Sequence, residues 1–242
     1  VFHHATLSPD KLCLADETRD VTYSQYRDEI VRLASVLQNR GISKDDKVVV
    51  EASQTIDFLG LEFALHLLGA VFVPVERNCA WSKTQRIAQM SSAKLVVTQK
   101  ENGSLPEAKT ATLAQITLER DNASQILSPR FPLKDEVSEI LFSTGTTGAE
   151  KGIVITHDNN LALAENVIYG VSMLEDNVEM IPSPLNHSHG LRRYYSNMVK
   201  GATVVLATGV MNVKLFFDMV DRYRVNSFDL VPTALSVLLK LS

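Results

Sequence analysis

The feature that most constrains the fold is a regular alternation of short, very apolar segments with longer segments whose apolar residues recur at helical spacing. Residues 70–75 are nearly all apolar, and before them Ile56, Leu59, Phe63 and Leu67 share one helical face. A strand without a polar side is buried on both faces, which is typical of parallel sheets covered by helices. The sequence therefore predicts an α/β fold of largely parallel β-sheets covered by helices.

The same patterns predict the individual elements. Helices are expected over residues 26–37, 56–67, 82–91, 159–171, 191–199, 215–223 and 233–239. Strands are expected over residues 47–50, 70–75, 94–98, 137–142, 153–155, 178–181, 203–206 and 227–231. Residues 99–134 are less regular and predict a surface excursion with a short strand or two. The side chains expected to cap helices are Thr22 with Gln25, Ser82 with Gln85, and either Asp158 or Asn159.

Composition and charge disfavour several classes of protein. The 242 residues carry a net charge of −4 with scattered basic residues, whereas nucleic-acid binding needs a basic face. Cys13 and Cys79 are too few for a disulfide scaffold and favour buried, reduced thiols in a cytoplasmic protein. The first residues do not have the pattern of a signal peptide. Residues 56–75 form the most apolar window of the chain, but two acidic residues and a histidine interrupt it. This pattern predicts a core helix and strand rather than a transmembrane segment.

The strongest chemical signal is a glycine-rich segment that follows the predicted strand ending at Phe142. It reads Ser143-Thr144-Gly145-Thr146-Thr147-Gly148-Ala149-Glu150-Lys151-Gly152. The glycines allow the backbone to approach an anion closely, and the hydroxyl groups donate hydrogen bonds without adding charge. Lys151 supplies a mobile positive charge. Such a segment can bind phosphate oxygens through backbone N–H groups and hydroxyls, so it predicts a polyphosphate site.

Other interpretations of this segment are weaker. A flexible turn in a purely structural α/β domain is the plainest alternative, but this order of hydroxyl, glycine and lysine residues is much rarer than a generic glycine-serine tract. The segment is not a Walker loop, because Glu150 rather than glycine precedes Lys151 and Gly152 follows it. No Gly-x-Gly-x-x-Gly follows a first strand, which disfavours a Rossmann dehydrogenase.

The glycine-rich segment resembles the phosphate-binding signature of the adenylate-forming superfamily, which includes acyl-CoA synthetases, luciferases and peptide-synthetase adenylation domains. The usual signature is Ser/Thr-Gly-Ser/Thr-Thr-Gly, any residue, then Pro-Lys-Gly, and this chain departs from it in having Glu150 at the proline position. That departure removes a rigid residue and adds a negative charge near the phosphates. The resemblance implies the fold of the N-terminal domain of acyl-CoA synthetases.

Further segments extend the resemblance along nearly the whole chain. Residues 21–26 are similar to the early Thr-Tyr-x-x-Leu segment of the family, and residues 69–74 are similar to its Gly-Ala-x-x-x-Pro segment. Residues 156–159 match a Thr-His-x-Asn segment, in which we interpret His157 as structural. The Gly201 turn and the strand after it also resemble a family strand.

Residues 183–191 resemble the Pro-Leu-Phe-His-x-x-Gly segment of acyl-CoA synthetases, with Asn186 in place of the aromatic residue. In the family, the histidine that matches His187 lies beside the acyl carboxylate and pyrophosphate, and an imidazole can donate to a carboxylate oxygen. The role of His189 stays open. The two arginines that follow could lie near an anionic substrate, but exposed positions on a helix explain them more simply. No Phe-Asp-x-Ser occurs in this region, which favours the CoA-ligase branch over peptide-synthetase domains.

The resemblance implies ATP-dependent activation of a carboxylic acid, fatty or other acyl, to an acyl-adenylate, with release of pyrophosphate and then transfer to CoA. ATP, Mg²⁺ and CoA are the implied cofactors and co-substrates. Lys151 and His187 are the implied catalytic residues, and Thr146 is the implied ligand of Mg²⁺. The residues implied in phosphate binding are Ser143, Thr144, Gly145, Thr146, Thr147, Gly148 and Lys151.

The family's later motifs are absent from these 242 residues. Residues 1–242 are therefore expected to be the N-terminal portion of an adenylation domain and to be inactive alone. The last predicted helix stays apolar to its end, which favours a fragment or a surface for a partner, such as a second copy of the chain. Two alternatives stay open: a nucleotide-binding module without catalysis, and an adenylation domain that loads the thiol of a carrier protein.

Overall fold

The computed structural model describes residues 1–123, 130–144 and 150–241, without the side chains of residues 144 and 241. The helices in this part of the chain are α1 (Phe2–Leu7), α2 (Tyr23–Asn39), α3 (Ile56–Leu68), α4 (Trp81–Ser91), α5 (Leu113–Asp121), α6 (His157–Gly170), α7 (Ser188–Lys200), α8 (Val213–Tyr223) and α9 (Pro232–Leu241). The strands are β1 (Leu12–Ala15), β2 (Asp20–Thr22), β3 (Lys47–Glu51), β4 (Val71–Val75), β5 (Ala93–Thr98), β6 (Lys109–Thr112), β7 (Val137–Thr144), β8 (Glu150–Thr156), β9 (Val178–Ile181), β10 (Thr203–Leu206) and β11 (Ser227–Phe228).

The predicted α/β fold of largely parallel sheets is confirmed, and the chain divides into two compact units. The first unit comprises Val1–Arg27, Gln54–Ile56 and Asn160–Ser242, and the second comprises Asp28–Ser53 and Asp57–Asn159. Each unit has its own sheet and its own hydrophobic core.

Within its described residues, the first unit has a five-stranded sheet in the order β11-β9-β10-β1-β2. Neighbouring strands are parallel except β2, which runs antiparallel to β1. Helices α8 and α9 cover this sheet, because Phe216, Met219 and Leu238 pack against Met180 and Val205. Burying a side chain of this size stabilises a fold by about 1.5–3 kcal/mol. This packing therefore fixes α8 and α9 against β9, the strand that precedes the segment with His187.

The described part of the second unit has a six-stranded sheet in the order β6-β5-β3-β4-β7-β8. Its strands are parallel except β8, which pairs antiparallel with β7. Helix α4 packs Ile87 and Ala88 against Val49 and Val73 of the central strands. Phe142 of β7 packs against the same cluster, so the strand that precedes the glycine-rich segment shares a core with α4.

Of the three predicted helix caps, one is confirmed and two are wrong. At the start of α2, the backbone N–H of Thr22 donates to Oε1 of Gln25 at 2.8 Å, and the backbone N–H of Gln25 donates to Oγ1 of Thr22 at 3.3 Å. This confirms the first capping box. The predicted box at Ser82 is wrong, because α4 begins one residue earlier and its N-cap residue, Ala80, has no side chain that can accept a hydrogen bond.

The predicted cap of α6 is also wrong in its residue. The backbone N–H of Asn159 donates to Oγ1 of Thr156 at 3.2 Å, and Oδ1 of Asn159 accepts from the backbone N–H of Thr156 at 3.1 Å. Thr156 is therefore the capping residue, and Asn159 reaches back to it from the first turn. Helix α6 consequently begins at His157, two residues before the predicted start.

The apolar residues 56–75 form α3 and β4, as predicted. In the part of the chain that the structure describes, no helix combines the length and the apolar character needed to cross a membrane. Both cysteines are free thiols; Cys13 is buried as predicted, whereas Cys79 is only half-buried.

Candidate functional site

The glycine-rich segment begins at the carboxyl edge of the parallel sheet in the second unit, where β7 ends. Ser143 of β7 pairs directly with Lys151 of β8, and Thr144 pairs with Glu150. Ligands of open α/β sheets bind outside the carboxyl ends of the strands, so this edge is a favourable place for an anion. The predicted phosphate ligands outside the described residues are Gly145, Thr146, Thr147 and Gly148, together with the side chain of Thr144.

Lys151 is available to an anion. Directly opposed residues of an antiparallel pair point to the same face of the sheet, so the side chains of Ser143 and Lys151 are neighbours. Both residues are exposed. Among the described residues, Lys151 has no hydrogen-bond or ion-pair partner. The described part of the predicted site therefore presents one ammonium group and one hydroxyl group on the same face of the hairpin.

Glu150, which occupies the usual proline position, is held by an arginine that the sequence analysis missed. Nη2 of Arg86 on α4 donates to Oε1 of Glu150 at 2.9 Å, and Nε of Arg86 lies 3.5 Å from Oε2. The hydrogen bond from Arg86 lowers the pKa of the Glu150 carboxyl, so the group stays ionised with its charge balanced. The negative charge expected beside the phosphates is therefore compensated within the second unit.

Gly152 is required for close packing at the base of the hairpin. A Cβ atom at this position would lie 3.0 Å from Cγ2 of Ile140 and 3.2 Å from Cζ of Phe142. These distances are tighter than ordinary van der Waals contacts. The glycine therefore lets β8 lie flat against the side chains of β7, which fixes the strand that carries Lys151.

The carboxyl edge of the second sheet is held together by one buried carboxylate. Oε1 of Glu51, the last residue of β3, accepts from the backbone N–H of Asn78 at 2.8 Å, and Oε2 accepts from the backbone N–H of Gln99 at 2.9 Å. Asn78 follows β4 and Gln99 follows β5, so one side chain links the ends of three adjacent strands. This edge is therefore a rigid support for the strand β7 beside it.

In the first unit, a cavity of about 560 Å³ lies at the carboxyl edge of the sheet. Its walls come from the segments that follow β9, β10 and β11. The lining residues are Pro182, Ser183, Pro184, His187, His189, Gly209, Val210, Leu230, Val231 and Ala234. Cavities of this size with mostly apolar walls and a few polar groups are typical of small-molecule sites.

Gln54 supports two of these cavity-forming segments and was not predicted. Its amide nitrogen, Nε2, lies 3.0 Å from the carbonyl oxygen of Ile181, 3.2 Å from that of Ser183 and 3.3 Å from that of Ala207. One amide group thus joins the chain after β9 to the chain after β10. Sequence alone offers little signal for this role, because Gln54 is 127 residues from Ile181.

His187 lines the cavity and is exposed, as a residue that contacts a substrate must be. It is the N-cap residue of α7, but its side chain makes no capping hydrogen bond. Nδ2 of the buried Asn186 lies 3.2 Å from Nε2 of His187. Because an amide NH₂ group can only donate, Nε2 accepts this bond and Nδ1 carries the proton of the neutral ring. Asn186, which replaces the usual aromatic residue, therefore orients His187, and the described residues leave its Nδ1–H group without an acceptor.

Gly190 explains the glycine of the His-x-x-Gly pattern. A Cβ atom at this position would lie 2.5 Å from the carbonyl oxygen of Pro184 and 3.0 Å from that of Ser183. Both obstacles are backbone atoms, so they cannot move aside as the end of a flexible side chain can. The first turn of α7 can therefore approach the chain after β9 only because residue 190 has no side chain.

His189 also lines the cavity, but its contacts point to a structural cluster. Its Nδ1 accepts from Nη2 of Arg192 at 3.0 Å, and its Nε2 lies 3.5 Å from Oδ2 of Asp229 without a hydrogen bond. Nη2 of Arg192 lies 3.3 Å from the same carboxylate oxygen. Arg192 is therefore occupied by neighbours within the first unit.

Arg193 is not an exposed helical arginine, and that prediction is wrong. The residue is 7% exposed and its Nε donates to Oε1 of Glu179, which is fully buried. Nδ2 of Asn197 donates to the second carboxylate oxygen of Glu179 at 2.7 Å. Burying a carboxylate requires a paired cation and further hydrogen bonds, so Arg193 has a structural role.

His157 lies in the second unit at the start of α6, as predicted. Its ring centroid is 4.7 Å from that of His66 in an edge-on arrangement, and burial lowers the pKa of both imidazoles. Oγ of Ser138 lies 3.1 Å from Nε2 of His66. Within the described ranges, no group of three or more histidine, cysteine or acidic side chains could hold a metal ion. The predicted Mg²⁺ ligand, Thr146, lies outside those ranges.

Comparison with known proteins gives a family match for the whole chain. Residues 1–242 match the family model described as AMP-binding enzyme. The chain is 26% identical over 210 residues to 2-succinylbenzoate–CoA ligase of Bacillus mycoides (strain KBAB4), which covers 85% of this chain and 42% of that protein. It is 23% identical over 207 residues to the ligase of the same name from Bacillus cereus (strain ZK / E33L), with the same two coverages. The chain thus spans 42% of the length of these relatives.

Solved structures share the fold. The o-succinylbenzoate CoA synthetase from Bacillus subtilis in complex with AMP superposes with a TM-score of 0.90 at 21% identity, over 100% of this chain and 63% of that chain. The N-terminal subdomain of NpsA from Klebsiella oxytoca gives a TM-score of 0.87 at 19% identity, over 100% of this chain and 61% of that chain. The arrangement of strands and helices is therefore that of the N-terminal domains of such enzymes.

Proposed function

Because the chain belongs to the AMP-binding enzyme family, we propose that it takes part in the ATP-dependent activation of a carboxylic acid. In the first step, a carboxylate oxygen attacks the α-phosphorus of ATP and the bond to the β-phosphate breaks. Pyrophosphate departs, and an acyl-adenylate is formed. In the second step, the thiol of CoA attacks the acyl carbonyl carbon, AMP leaves, and the thiol proton is released. The observation that carries this proposal is the position of Lys151, which lies beside Ser143 at the carboxyl edge of the second sheet and has no partner among the described residues, in a chain that the family model matches from end to end.

Lys151 and the glycine-rich segment are the proposed phosphate site. Both reactants of the first step are anions, so catalysis depends on positioning and on neutralising charge. The ammonium group of Lys151 and the backbone N–H groups of residues 145–149 bind the β- and γ-phosphates in this proposal. Magnesium enters with ATP as part of the substrate, and Thr146 is the proposed protein ligand because a hydroxyl oxygen suits a hard cation.

The cavity of the first unit is the proposed acid site. Its apolar walls suit the hydrocarbon part of an acid, and His187 supplies a hydrogen-bond donor for the carboxylate. Since Asn186 donates to Nε2 of His187, the proton on Nδ1 is the one offered to the substrate. His187 thus binds and orients the nucleophilic carboxylate, and no proton transfer is required of it in the first step.

The names of the relatives bear on the acid. The relatives are named as ligases of 2-succinylbenzoate, which contains an aromatic ring, and they give no support to a fatty acyl substrate. We propose a carboxylic acid with an apolar body, with CoA as the acceptor because the relatives are named as CoA ligases. Loading of a carrier-protein thiol is the alternative acceptor.

Residues 1–242 are proposed to be the N-terminal portion of an adenylation domain. They span 42% of the length of the curated relatives, and the family's later motifs are absent from the sequence. We therefore expect weak or no ligase activity from these residues alone, while the parent protein carries the full reaction. Robust adenylation by the isolated 242 residues would contradict this part of the proposal.

Acid-dependent exchange of labelled pyrophosphate into ATP tests the proposed function. The parent protein is assayed with a panel of aromatic and aliphatic carboxylic acids, since exchange reports adenylation before any thiol reacts. We expect exchange with at least one acid, and a loss of about hundredfold in Lys151→Ala, as for removal of one group that stabilises transition-state charge. The exposed Lys134, paired only loosely with Asp158, supplies the control Lys134→Ala. Binding of ATP without exchange for any acid would favour a nucleotide-binding module instead.

The same assay tests the orientation of His187 by Asn186. We expect Asn186→Leu to raise the KM for the acid by about tenfold, because an unoriented imidazole loses a hydrogen bond to a charged group. The KM for ATP should stay within about twofold. His187→Ala and the double variant should be equally impaired, since Asn186 acts through His187. Additive losses in the double variant would contradict that role.

A further inference from the structure

The strands β7 and β8 place Glu150 and Lys151 on opposite faces of the hairpin. Side chains of successive strand residues alternate between the two faces. Lys151 therefore shares a face with Ser143, whereas Glu150 shares a face with Phe142 and Gly152. Phe142 packs against the core cluster that contains residues of α4, so the face of Glu150 is the face covered by α4.

Arg86 holds Glu150 on that face. Its guanidinium group meets both carboxylate oxygens, at 2.9 Å and 3.5 Å, which is the two-pronged geometry that favours arginine over lysine. Nη1 of Arg86 also lies 3.4 Å from the carbonyl oxygen of Ser82, one turn earlier in α4. The side chain of Glu150 is only 14% exposed, although that of Arg86 is 55% exposed. The carboxylate is thus covered at the end of the glycine-rich segment.

Core packing fixes the position of α4, the helix that carries Arg86. Ile87 and Ala88, the next residues of α4, are buried in the core of the second unit. Lys83, one turn earlier, is occupied by Glu76 at 2.9 Å and does not compete for Glu150. Arg86 is therefore anchored on the same core as β7, and the position of its guanidinium group relative to the hairpin is set by packing.

We propose that Arg86 is a positioning residue for Lys151, and that its ion pair with Glu150 replaces the proline of the family signature. This inference rests on the proposed function of the segment as a phosphate site. A proline restricts the backbone where β8 begins, whereas the ion pair restrains the same residue through its side chain. A slip of one residue would exchange the faces of Glu150 and Lys151, and the tie to α4 opposes that slip. The guanidinium group also compensates a carboxylate that would otherwise repel a polyphosphate beside Lys151.

Titration calorimetry of the 242-residue chain with inorganic pyrophosphate and Mg²⁺ tests the inference. We expect Arg86→Ala to weaken pyrophosphate binding by about five- to tenfold, because the negative charge of Glu150 is then uncompensated close to the ligand. Arg86→Lys should recover part of the affinity. The double variant Arg86→Ala with Glu150→Pro has the same net charge as wild type and should bind within about twofold of it, because proline is tolerated at the first residue of a strand and restores the restraint.

A second readout needs no nucleotide. Amide hydrogen exchange of residues 151–153 should become faster in Arg86→Ala and return towards the wild-type rate in Arg86→Ala with Glu150→Pro. Arg40→Ala is the matched control, because Arg40 of α2 pairs with Glu119 of α5 in the same unit and should leave this exchange unchanged.

These two readouts separate the inference from the function on which it rests. If the wild-type chain binds no pyrophosphate but the exchange of residues 151–153 depends on Arg86, the phosphate site is wrong and the positioning role stands. If Arg86→Ala leaves that exchange unchanged, the inference is overturned whatever the binding shows. A double variant that binds pyrophosphate as weakly as Arg86→Ala would also overturn it, since Arg86 would then act independently of Glu150.

Discussion

Gly190 lies where the first turn of α7 meets the backbone after β9, and the contact is too close for any side chain. In Gly190→Ala, the added Cβ would lie 2.5 Å from the carbonyl oxygen of Pro184. The backbone must shift, so we expect the free energy of unfolding to fall by about 1–3 kcal/mol, as for other overpacked sites. The shift would also displace His187 at the end of the cavity. Chemical denaturation measures the first effect.

Gly170, the last residue of α6, is the matched control for this prediction. A Cβ atom there would have no neighbour within 4 Å, and its φ lies outside the left-handed region. Because alanine favours a helix over glycine by about 0.5–1 kcal/mol, Gly170→Ala should be neutral or slightly stabilising. Equal losses of stability in the two variants would show that the contact with Pro184 is not what requires Gly190.

At the scale of residues, the sequence indicates candidate groups that stand in local motifs, but it does not indicate the residues that support them. Recognisable motifs contain Ser143, Lys151 and His187, so roles for these residues can be predicted from the residues next to them in the sequence. Arg86 is 64 residues from Glu150, and Gln54 is 127 residues from Ile181. Such partners are brought together only by the fold, and a single arginine or glutamine leaves no pattern that would reveal them.

At the scale of elements, α3 and β7 bury a histidine that makes stability depend on pH. His66 of α3 lies against Ser138 of β7 and the ring of His157, and burial lowers the pKa of His66 to about 3. An unfolded histidine titrates near 6.5. Between these values the unfolded chain binds a proton that the folded chain does not. Stability is therefore complete above pH 6.5 and declines as the pH falls towards 3, by up to about 1.4 kcal/mol per pH unit.

The variant His66→Gln isolates this contribution. Glutamine can keep a hydrogen bond to Ser138 but does not titrate. Between pH 6.5 and 5, wild type should lose about 2 kcal/mol more of its free energy of unfolding than the variant does. Most carboxyl groups with a lowered pKa titrate below pH 5, so they do not affect the difference between the two proteins. Parallel stability curves for the two proteins over this range would contradict a neutral His66 in the folded state.

At the scale of elements, some strands were predicted with their observed bounds and others were missed. The strands β9 and β10 have the predicted bounds. The strands β1 and β2, of four and three residues, were not predicted. Helix α5 was missed within an irregular region, although the capping box of Thr112 and Gln115 marks its start. The predicted strand over residues 227–231 is reduced to Ser227–Phe228, and Pro232 then begins α9.

At the scale of the whole molecule, each unit places its candidate site at the carboxyl edge of its own sheet. In the second unit this edge carries Ser143 and Lys151, and in the first it carries His187 and the apolar cavity. This placement follows from parallel strands, whose carboxyl ends meet at one edge. The alternation of apolar strands with helices predicted the parallel sheets. The division of the strands into two sheets could not be predicted, because it depends on which strands pair.

The central claim is that Lys151 at this edge binds a polyphosphate, and calorimetric titration of the 242-residue chain with pyrophosphate and Mg²⁺ tests it most directly. Wild type should bind, and Lys151→Ala should bind about tenfold or more weakly, since a hydrogen bond to a charged group is lost. Lys134→Ala, at an exposed lysine of the same unit, should bind as wild type does. Equal affinities for wild type and Lys151→Ala would contradict the proposed phosphate site.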